Sequence, residues 1–423
     1  MNLQMKKNIY DLAIFGGEPE FDQKLYVGQP NISNRSSFIA NVEDILDRKV
    51  LTNQGHFVQQ LEEQLRELLG VKHCILISNG TTGLEIAIRA LELQGEVIVP
   101  SHTFIATVHA ILWLGLKPVF CDINHDTHNI NPKLISKLIS PQTSAILGVH
   151  LWGRACEIDE ITNIAQRAGI RVFFDAAHAF HCSHKGRMIG NFGDLEVFSF
   201  HATKFFNTLE GGAITTNNDE LANKIRLMKN FGFIDYDRVV SLGINGKLNE
   251  ISAAFGMTLL DDLENILSTN FENYRHYEQH LANLPGFKMV KYDQREKCNY
   301  QYIVFEIDEH DSPLSRDQIV EILWAENILA RRYFFPGCHR MQPYRSLYTD
   351  ASLSLPITEQ VVSRTISLPN GFAVNSDSID RMSQLITFIC SRADQIDALM
   401  STNKEILKSK PQKLRRHMIE RKT

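Results

Sequence analysis

Val197-Phe-Ser-Phe-His-Ala-Thr-Lys204, followed by Phe205-Phe-Asn-Thr-Leu-Glu-Gly-Gly-Ala213, is the stretch on which the reading of the fold turns. A short run of β-branched and aromatic residues ends at one lysine, and a Glu-Gly-Gly turn then leads into a second apolar run, Ala213-Ile-Thr-Thr216. Lys204 is thereby set on a tight loop. An amine held out of bulk water loses part of its preference for the ammonium form and becomes a nucleophile toward carbonyls; a Schiff base is the natural use of it. Most lysines sit on solvated surfaces, so Lys204 needs company before it reads as catalytic.

That company lies upstream. Cys74-Ile-Leu-Ile-Ser78 reads as a buried strand, Asn79-Gly-Thr-Thr-Gly83 as a turn and Leu84–Leu91 as a helix. Such a unit offers free backbone N–H groups and the positive end of a helix dipole to an anion, with phosphate the obvious candidate; an ordinary capped strand-to-helix turn has the same appearance. The alternation continues through strands at Glu96–Pro100, Lys117–Cys121, Ala145–His150 and Arg171–Phe174, with helices expected over 106–114, 132–139 and 157–168. Strands and helices at this spacing predict an α/β fold with a mainly parallel sheet covered on both faces. Sites in such sheets lie at the carboxyl ends of the strands, which singles out Asn79–Thr82, Ser101–Phe104, Asp175–His178 and Ser199–Lys204. Asp175 there can hydrogen-bond the ring nitrogen of a pyridine and keep it protonated, or can simply cap the next helix. Phe104 suits either the core or stacking on a flat ring.

Around this centre the chain divides into an N-terminal arm and helix (1–50), a large domain (51–264), a smaller C-terminal α/β domain (265–392) and a basic tail (393–423) whose densest cluster is Lys413-Leu-Arg-Arg416. The small domain is expected to hold a strand at Tyr302–Ile307 and a helix over 317–326.

The totals bound the remaining possibilities. A length of 423 residues fits two domains, and 43% apolar with 22% charged residues is ordinary globular composition. A net charge of -5 gives no basic field for nucleic acid. No apolar run approaches the roughly 20 residues of a membrane span, and Met1–Lys7 lacks a signal peptide's apolar segment, so no membrane role is expected and the location expected is cytoplasmic. The seven cysteines form no Cys-x-x-Cys pair and read as reduced thiols. His178, His181, Cys182 and His184 fall within seven residues, but no second ligand pair at zinc spacing accompanies them, so no metal is expected.

Seven blocks in order, Asn79-Gly-Thr81, Pro100–Thr107, Lys117–Asp122, Val149–Gly153, Asp175–Ala179, Phe198–Lys204 and Glu210–Ala213, make the chain resemble the DegT/DnrJ/StrS family of nucleotide-sugar aminotransferases. The resemblance runs from about Gly16 to Arg392 and implies the type I (aspartate aminotransferase-like) fold of pyridoxal phosphate enzymes. Phe173–His178, His201–Lys204, Gly246-Lys247, Asn299–Tyr302 and Pro336–His339 are most similar to the members that aminate C4 of dTDP-4-keto-6-deoxy-D-glucose. The common family pattern after Asn245 is any residue, then Arg and Met; Gly246, Lys247 and Leu248 stand there instead, as in that subgroup.

The resemblance implies pyridoxal 5'-phosphate held covalently on Lys204, Asp175 on its ring nitrogen, His178 beside the ring and Phe104 stacked on one face. It assigns the phosphate to Gly80, Thr81 and Ser199, with Asn245 reaching over from the neighbouring subunit of a homodimer, and Lys247, Arg331, Tyr333 and His339 to the sugar and its diphosphate. L-glutamate and a dTDP-linked ketosugar would be the substrates. The rivals are the same chemistry on a 3-keto or UDP-linked sugar, a related dehydration in which histidine replaces the lysine, and a non-enzymatic regulator on the same fold with the tail as its DNA-binding element.

Overall fold

Runs such as Val97-Ile98-Val99 leave neither face of a strand able to meet water, and in the computed structural model of the chain they form one seven-stranded sheet with helices on both sides. The structure describes residues 6–308, 310–312 and 314–409. In chain order the strands are β1 (Leu25–Tyr26), β2 (His73–Ile77), β3 (Glu96–Pro100), β4 (Lys117–Cys121), β5 (Thr143–Val149), β6 (Arg171–Asp175), β7 (Ser183–His184), β8 (Arg187–Met188), β9 (Glu196–Ser199), β10 (Gly212–Thr216), β11 (Phe287–Met289), β12 (Ile303–Ile307), β13 (Ile328–Leu329) and β14 (Thr365–Leu368). The large sheet runs β2-β10-β9-β6-β5-β3-β4 and is parallel except for β10, which is antiparallel to both of its neighbours. The sheet expected from alternation is therefore present, with one reversed strand that follows the Lys204 loop directly.

The helices that cover this sheet include α1 (Arg35–Arg48), α2 (His56–Leu69), α3 (Gly80–Ala90), α4 (Ile105–Trp113), α5 (Pro132–Leu138), α6 (Ile158–Ala168), α7 (Asp219–Met228) and α8 (Glu250–Asp261). Side chains packed on the two faces of the sheet make two apolar clusters, one around Leu61, Phe174 and Phe198 and the other around Ile75, Val99 and Phe173. Ends fall within a few residues of those expected; α2 stops at Gly70, whose left-handed backbone closes the C-terminus.

The small domain has its own core around a three-stranded antiparallel sheet, β11-β12-β14, with α10 (Arg316–Ala325), α12 (Pro356–Arg364), α13 (Ser376–Ser391) and α14 (Ala393–Ser409), while α11 (Tyr344–Leu347) packs Tyr344 into the large-domain cluster around Val99. Helix α9 (Leu263–Leu281) joins the domains: Leu263 and Ile266 pack in the large core, Tyr274, Tyr277 and Leu281 in the small one. The boundary expected near residue 265 thus passes through a continuous helix.

At the chain ends the structure adds partners to one expectation and corrects another. The N-terminal stretch that leads into α1 is docked on the small domain. Leu12 and Phe21 are buried in the small-domain core, β1 pairs in parallel with β13, and the buried Glu326 carboxylate accepts from the N–H groups of Ala13 and Glu20 at 2.7 Å each. Residues 393–409 are not a tail but helix α14, with Ala393, Ile396 and Met400 buried in the same core; the Lys413–Arg416 cluster lies outside the described residues. Among the described residues no helix is long and apolar enough to cross a membrane.

Candidate active site

The carboxyl ends of β2, β3, β5, β6 and β9 open into one cavity of about 890 Å³, closed on its far side by the small domain. Gly80, Thr81, Phe104, Asp175, His178, Ser199, Lys204, Arg331 and Tyr333 all line it. The reason for their convergence is the strand-end geometry of parallel sheets: each loop leaves the sheet on the same edge.

Lys204 is half-buried, and its Nζ donates to the Tyr302 hydroxyl at 3.1 Å. Burial is the main cause that lowers its pKa to about 8, with the nearby Asp175 charge pulling the other way. Asp175 is buried at the end of β6. Its Oδ2 accepts from the Thr107 hydroxyl at 2.8 Å and its Oδ1 from the Ala177 N–H at 3.0 Å. Desolvation nevertheless outweighs these bonds and raises its pKa. A carboxylate in that state gains most from a cationic N–H placed against it, which would draw its pKa back down.

His178 lies in an aromatic layer, 4.3 Å from the Tyr302 ring and stacked on Trp152 and Phe334 at 5.9 Å. Burial holds its pKa far below normal, with repulsion from Lys204 adding to it, so the ring is neutral. Its Nδ1 accepts from the Trp152 N–H at 3.3 Å, which leaves the proton on Nε2 as a donor. Asn299 fixes the turn that carries it by donating to the carbonyls of His178 and Phe180 at 2.9 and 3.0 Å.

The start of α3 is an anion site in outline. Asn79 caps the helix by accepting from the Thr82 N–H at 2.8 Å, leaving Gly80 and Thr81 open to the cavity beside Ser199. Gly212 on β10 approaches so closely that a Cβ there would stand 3.1 Å from the Gly80 nitrogen and 2.5 Å from the Phe198 carbonyl. The Glu-Gly-Gly turn is therefore a steric requirement of this corner. Phe104, 56% exposed, offers its ring to the cavity.

These residues fit pyridoxal phosphate: a buried acid for a ring nitrogen, a neutral imidazole donor, an exposed aromatic face, a helix N-terminus for a phosphate, and a partly desolvated amine.

Three expected residues stand elsewhere. His339 is a correction: it is buried, outside the cavity, its Nδ1 2.6 Å from the Ser101 hydroxyl and its Nε2 2.6 Å from Glu359. It fastens the Pro336–Arg340 segment and has no free edge for a sugar. Asn245 is exposed, and Lys247 donates to Asn230 at 2.8 Å with its Nζ 4.9 Å above the Phe231 ring; neither lines this chain's cavity. The cluster of His178, His181, Cys182 and His184 does not converge: His178 faces the cavity, while His184 lies 3.5 Å from Asp159.

The sequence reading also left residues out. Tyr302, which touches Lys204, lies ahead of a small-domain strand, beyond the reach of the strand-end rule. Residues 26–30 of the N-terminal stretch line the cavity as well, and Gly28, at φ +74°, passes so close to Thr203 that a Cβ would meet it at 3.0 Å. Gly28-Gln-Pro30 has the composition of a turn, but nothing local in it points to Thr203.

A profile of the DegT/DnrJ/EryC1/StrS aminotransferase family matches residues 33–387. The chain is similar to dTDP-4-amino-4,6-dideoxy-D-glucose transaminase of Shigella dysenteriae, 38% identical over 359 residues, covering 85% of this chain and 97% of the relative. It is also similar to GDP-perosamine synthase of Caulobacter vibrioides, 34% identical over 346 residues, 81% of this chain and 92% of the relative. Among solved structures, DesI in the presence of its TDP-sugar product superposes with a TM-score of 0.89 at 42% identity, covering 93% of this chain and all of that one. Helicobacter pylori PseC, an aminotransferase of pseudaminic acid biosynthesis, gives 0.80 at 28% identity, with coverage of 86% and 99%.

Proposed function

The chain belongs to the DegT/DnrJ/EryC1/StrS aminotransferase family, and from that premise we propose that it moves the amino group of L-glutamate to C4 of dTDP-4-keto-6-deoxy-D-glucose. The products are dTDP-4-amino-4,6-dideoxy-D-glucose and 2-oxoglutarate. It is a pyridoxal phosphate-dependent sugar aminotransferase. The observation that carries the reading is the pairing, in one cavity, of an amine lowered to about 8 with a buried acid, in a chain 38% identical to a transaminase of that name.

Pyridoxal phosphate, when bound, supplies an electron sink for the carbon that gains or loses the amino group. Lys204 would hold it, and the Nζ amine is the group placed to take and return a proton at the reacting carbon. Tyr302 keeps Nζ oriented through its hydroxyl. Asp175 would hold the protonated ring nitrogen, with His178 offering its Nε2 proton as a donor beside it. Gly80, Thr81 and Ser199 would hold the phosphate, and Phe104 would supply an aromatic face.

Arg331 and Tyr333 form the substrate side of the cavity; the guanidinium stands 5.2 Å over the Tyr333 ring and is open to an anionic group. In a homodimer Asn245 and Lys247 serve the partner's site, a role supported by their exposed or half-exposed position outside this chain's own cavity. A regulator without catalysis has no use for a lysine, an acid and a histidine perturbed together in one cavity.

The test is incubation of the enzyme with glutamate and a panel of dTDP-, UDP- and GDP-linked ketosugars, reading product mass. The expected product is the 4-amino-4,6-dideoxy sugar on dTDP. Transfer confined to a 3-keto sugar or to another nucleotide overturns the substrate.

A further inference from the structure

On the outer face of the small domain, far along α9 from the large-domain core, His276 and His280 occupy successive turns and face Asp380 of α13. His276 Nε2 stands 2.7 Å and His280 Nε2 3.1 Å from the same oxygen, Asp380 Oδ1. One donor atom from each residue lies within 4.8 Å of the other two, and the imidazole rings stack at 5.0 Å and 24°. None of the three lines the cavity described above.

We propose that this cluster is a transition-metal site of the zinc(II) class that clamps α9 to α13. Two imidazoles and one carboxylate are a borderline-soft donor set suited to zinc, copper or nickel and a poor one for magnesium or calcium, which take oxygen. Histidines four apart on a helix lie on one face, so a single ion reaches both. Tetrahedral zinc, with bonds of about 2.1 Å, leaves roughly 3.4 Å between donors. The two histidine-to-carboxylate gaps, 2.7 and 3.1 Å, are shorter than this, and a turn of the half-exposed Asp380 carboxylate away from the rings opens them. The open side of the cluster leaves room for a water as fourth ligand.

The frame beneath the cluster is rigid. Tyr277, the neighbour of His276, is fully buried, and its hydroxyl contacts the Pro369 carbonyl at 3.0 Å and Met382 Sδ of α13 at 3.6 Å. That contact sets the register of the two helices and hence the spacing of the three donors. Nearby cations are occupied elsewhere: Arg275 pairs with Glu278 at 2.7 Å and Arg381 with Glu20 at 2.9 Å. Among the described residues, the ion pairs of Asp380 are with these two rings.

The experiment titrates chelator-treated, dialysed holoenzyme, free of excess pyridoxal phosphate, with zinc chloride and then cobalt chloride. The expected result is one equivalent per chain, a rise in thermal midpoint with zinc, and a visible cobalt spectrum of low coordination number. His276→Ala and His280→Ala should each weaken that equivalent by at least about tenfold, and Asp380→Asn by a smaller factor. All three variants should keep the cofactor's absorbance and turnover, which separates the clamp from the catalytic reading. Absence of a stoichiometric equivalent in the unaltered protein, or binding unchanged when both histidines are replaced, overturns the proposal and leaves a hydrogen-bonded His-Asp-His surface cluster.

Discussion

The two walls of the cavity are made on different principles. The large-domain wall is a row of strand ends carrying charge: Lys204 is lowered to about 8, Asp175 is raised and His178 is lowered, each chiefly by burial. The small-domain wall is aromatic. Burial pushes the Tyr302 and Tyr333 phenols up, so they stay neutral, and Phe334 stacks flat on Trp152 at 5.7 Å and 4°. One wall does proton work with an amine, an acid and an imidazole that desolvation perturbs together; the other sets shape and orientation with phenols that stay protonated, beside the Arg331 guanidinium.

That contrast can be broken first at its strongest point. Lys204→Ala should reduce turnover by more than about a thousandfold while the protein stays folded, and a variant with substantial glutamate-dependent product would remove the amine from the mechanism. Asp175→Asn should cost roughly a hundredfold in kcat, since the side chain keeps its shape but loses the charge that holds a ring nitrogen protonated. An unchanged kcat would leave the acid only its bonds to Ala177 and Thr107, as a brace for the turn after β6. Tyr302→Phe, on the other wall, should cost only about tenfold, the worth of one hydrogen bond to a charged group; a loss as large as that of Lys204→Ala would erase the distinction between the walls.

A milder probe is pH. With the Lys204 amine titrating near 8, its neutral nucleophilic fraction grows about fivefold from pH 7 to 8 and less than about twofold from 8 to 9. Uptake of pyridoxal phosphate by apoenzyme should follow that curve in stopped-flow absorbance. A rate still climbing steeply above pH 9 would mean an unperturbed lysine. The smallest catalytic effect is expected for His339→Ala: kcat within about twofold of the parent, with a stability loss of about 1–3 kcal/mol by denaturant melts, because Ser101 and Glu359 lose a buried partner.

The legibility of the sequence follows the same division. Strand ends of a parallel sheet are announced by apolar runs that stop at a polar residue, so Asn79–Thr81, Phe104, Asp175 and Lys204 could be read as neighbours without coordinates. The small-domain wall has no such rule. Tyr302 stands ahead of β12 and Arg331 just after β13, and their places depend on how one core docks on the other. The resemblance alone assigns His339 to the sugar, but Ser101 and Glu359 occupy both ring nitrogens, a pairing across 238 and 20 residues that no local pattern reveals. The docking of the N-terminal stretch was hidden for the same reason. Its partner, Glu326, is about three hundred positions away.

The small domain is assembled from both ends of the chain, with Leu12 and Phe21 packed against Ile303 and Ile386. A ribosome therefore delivers the opening residues long before their partners exist, and the cofactor pocket lacks Tyr302 and Arg331 until late in translation. Maturation of the enzyme must wait for its last strands and helices to capture its first ones, so an early stop leaves not a weakened catalyst but half a pocket.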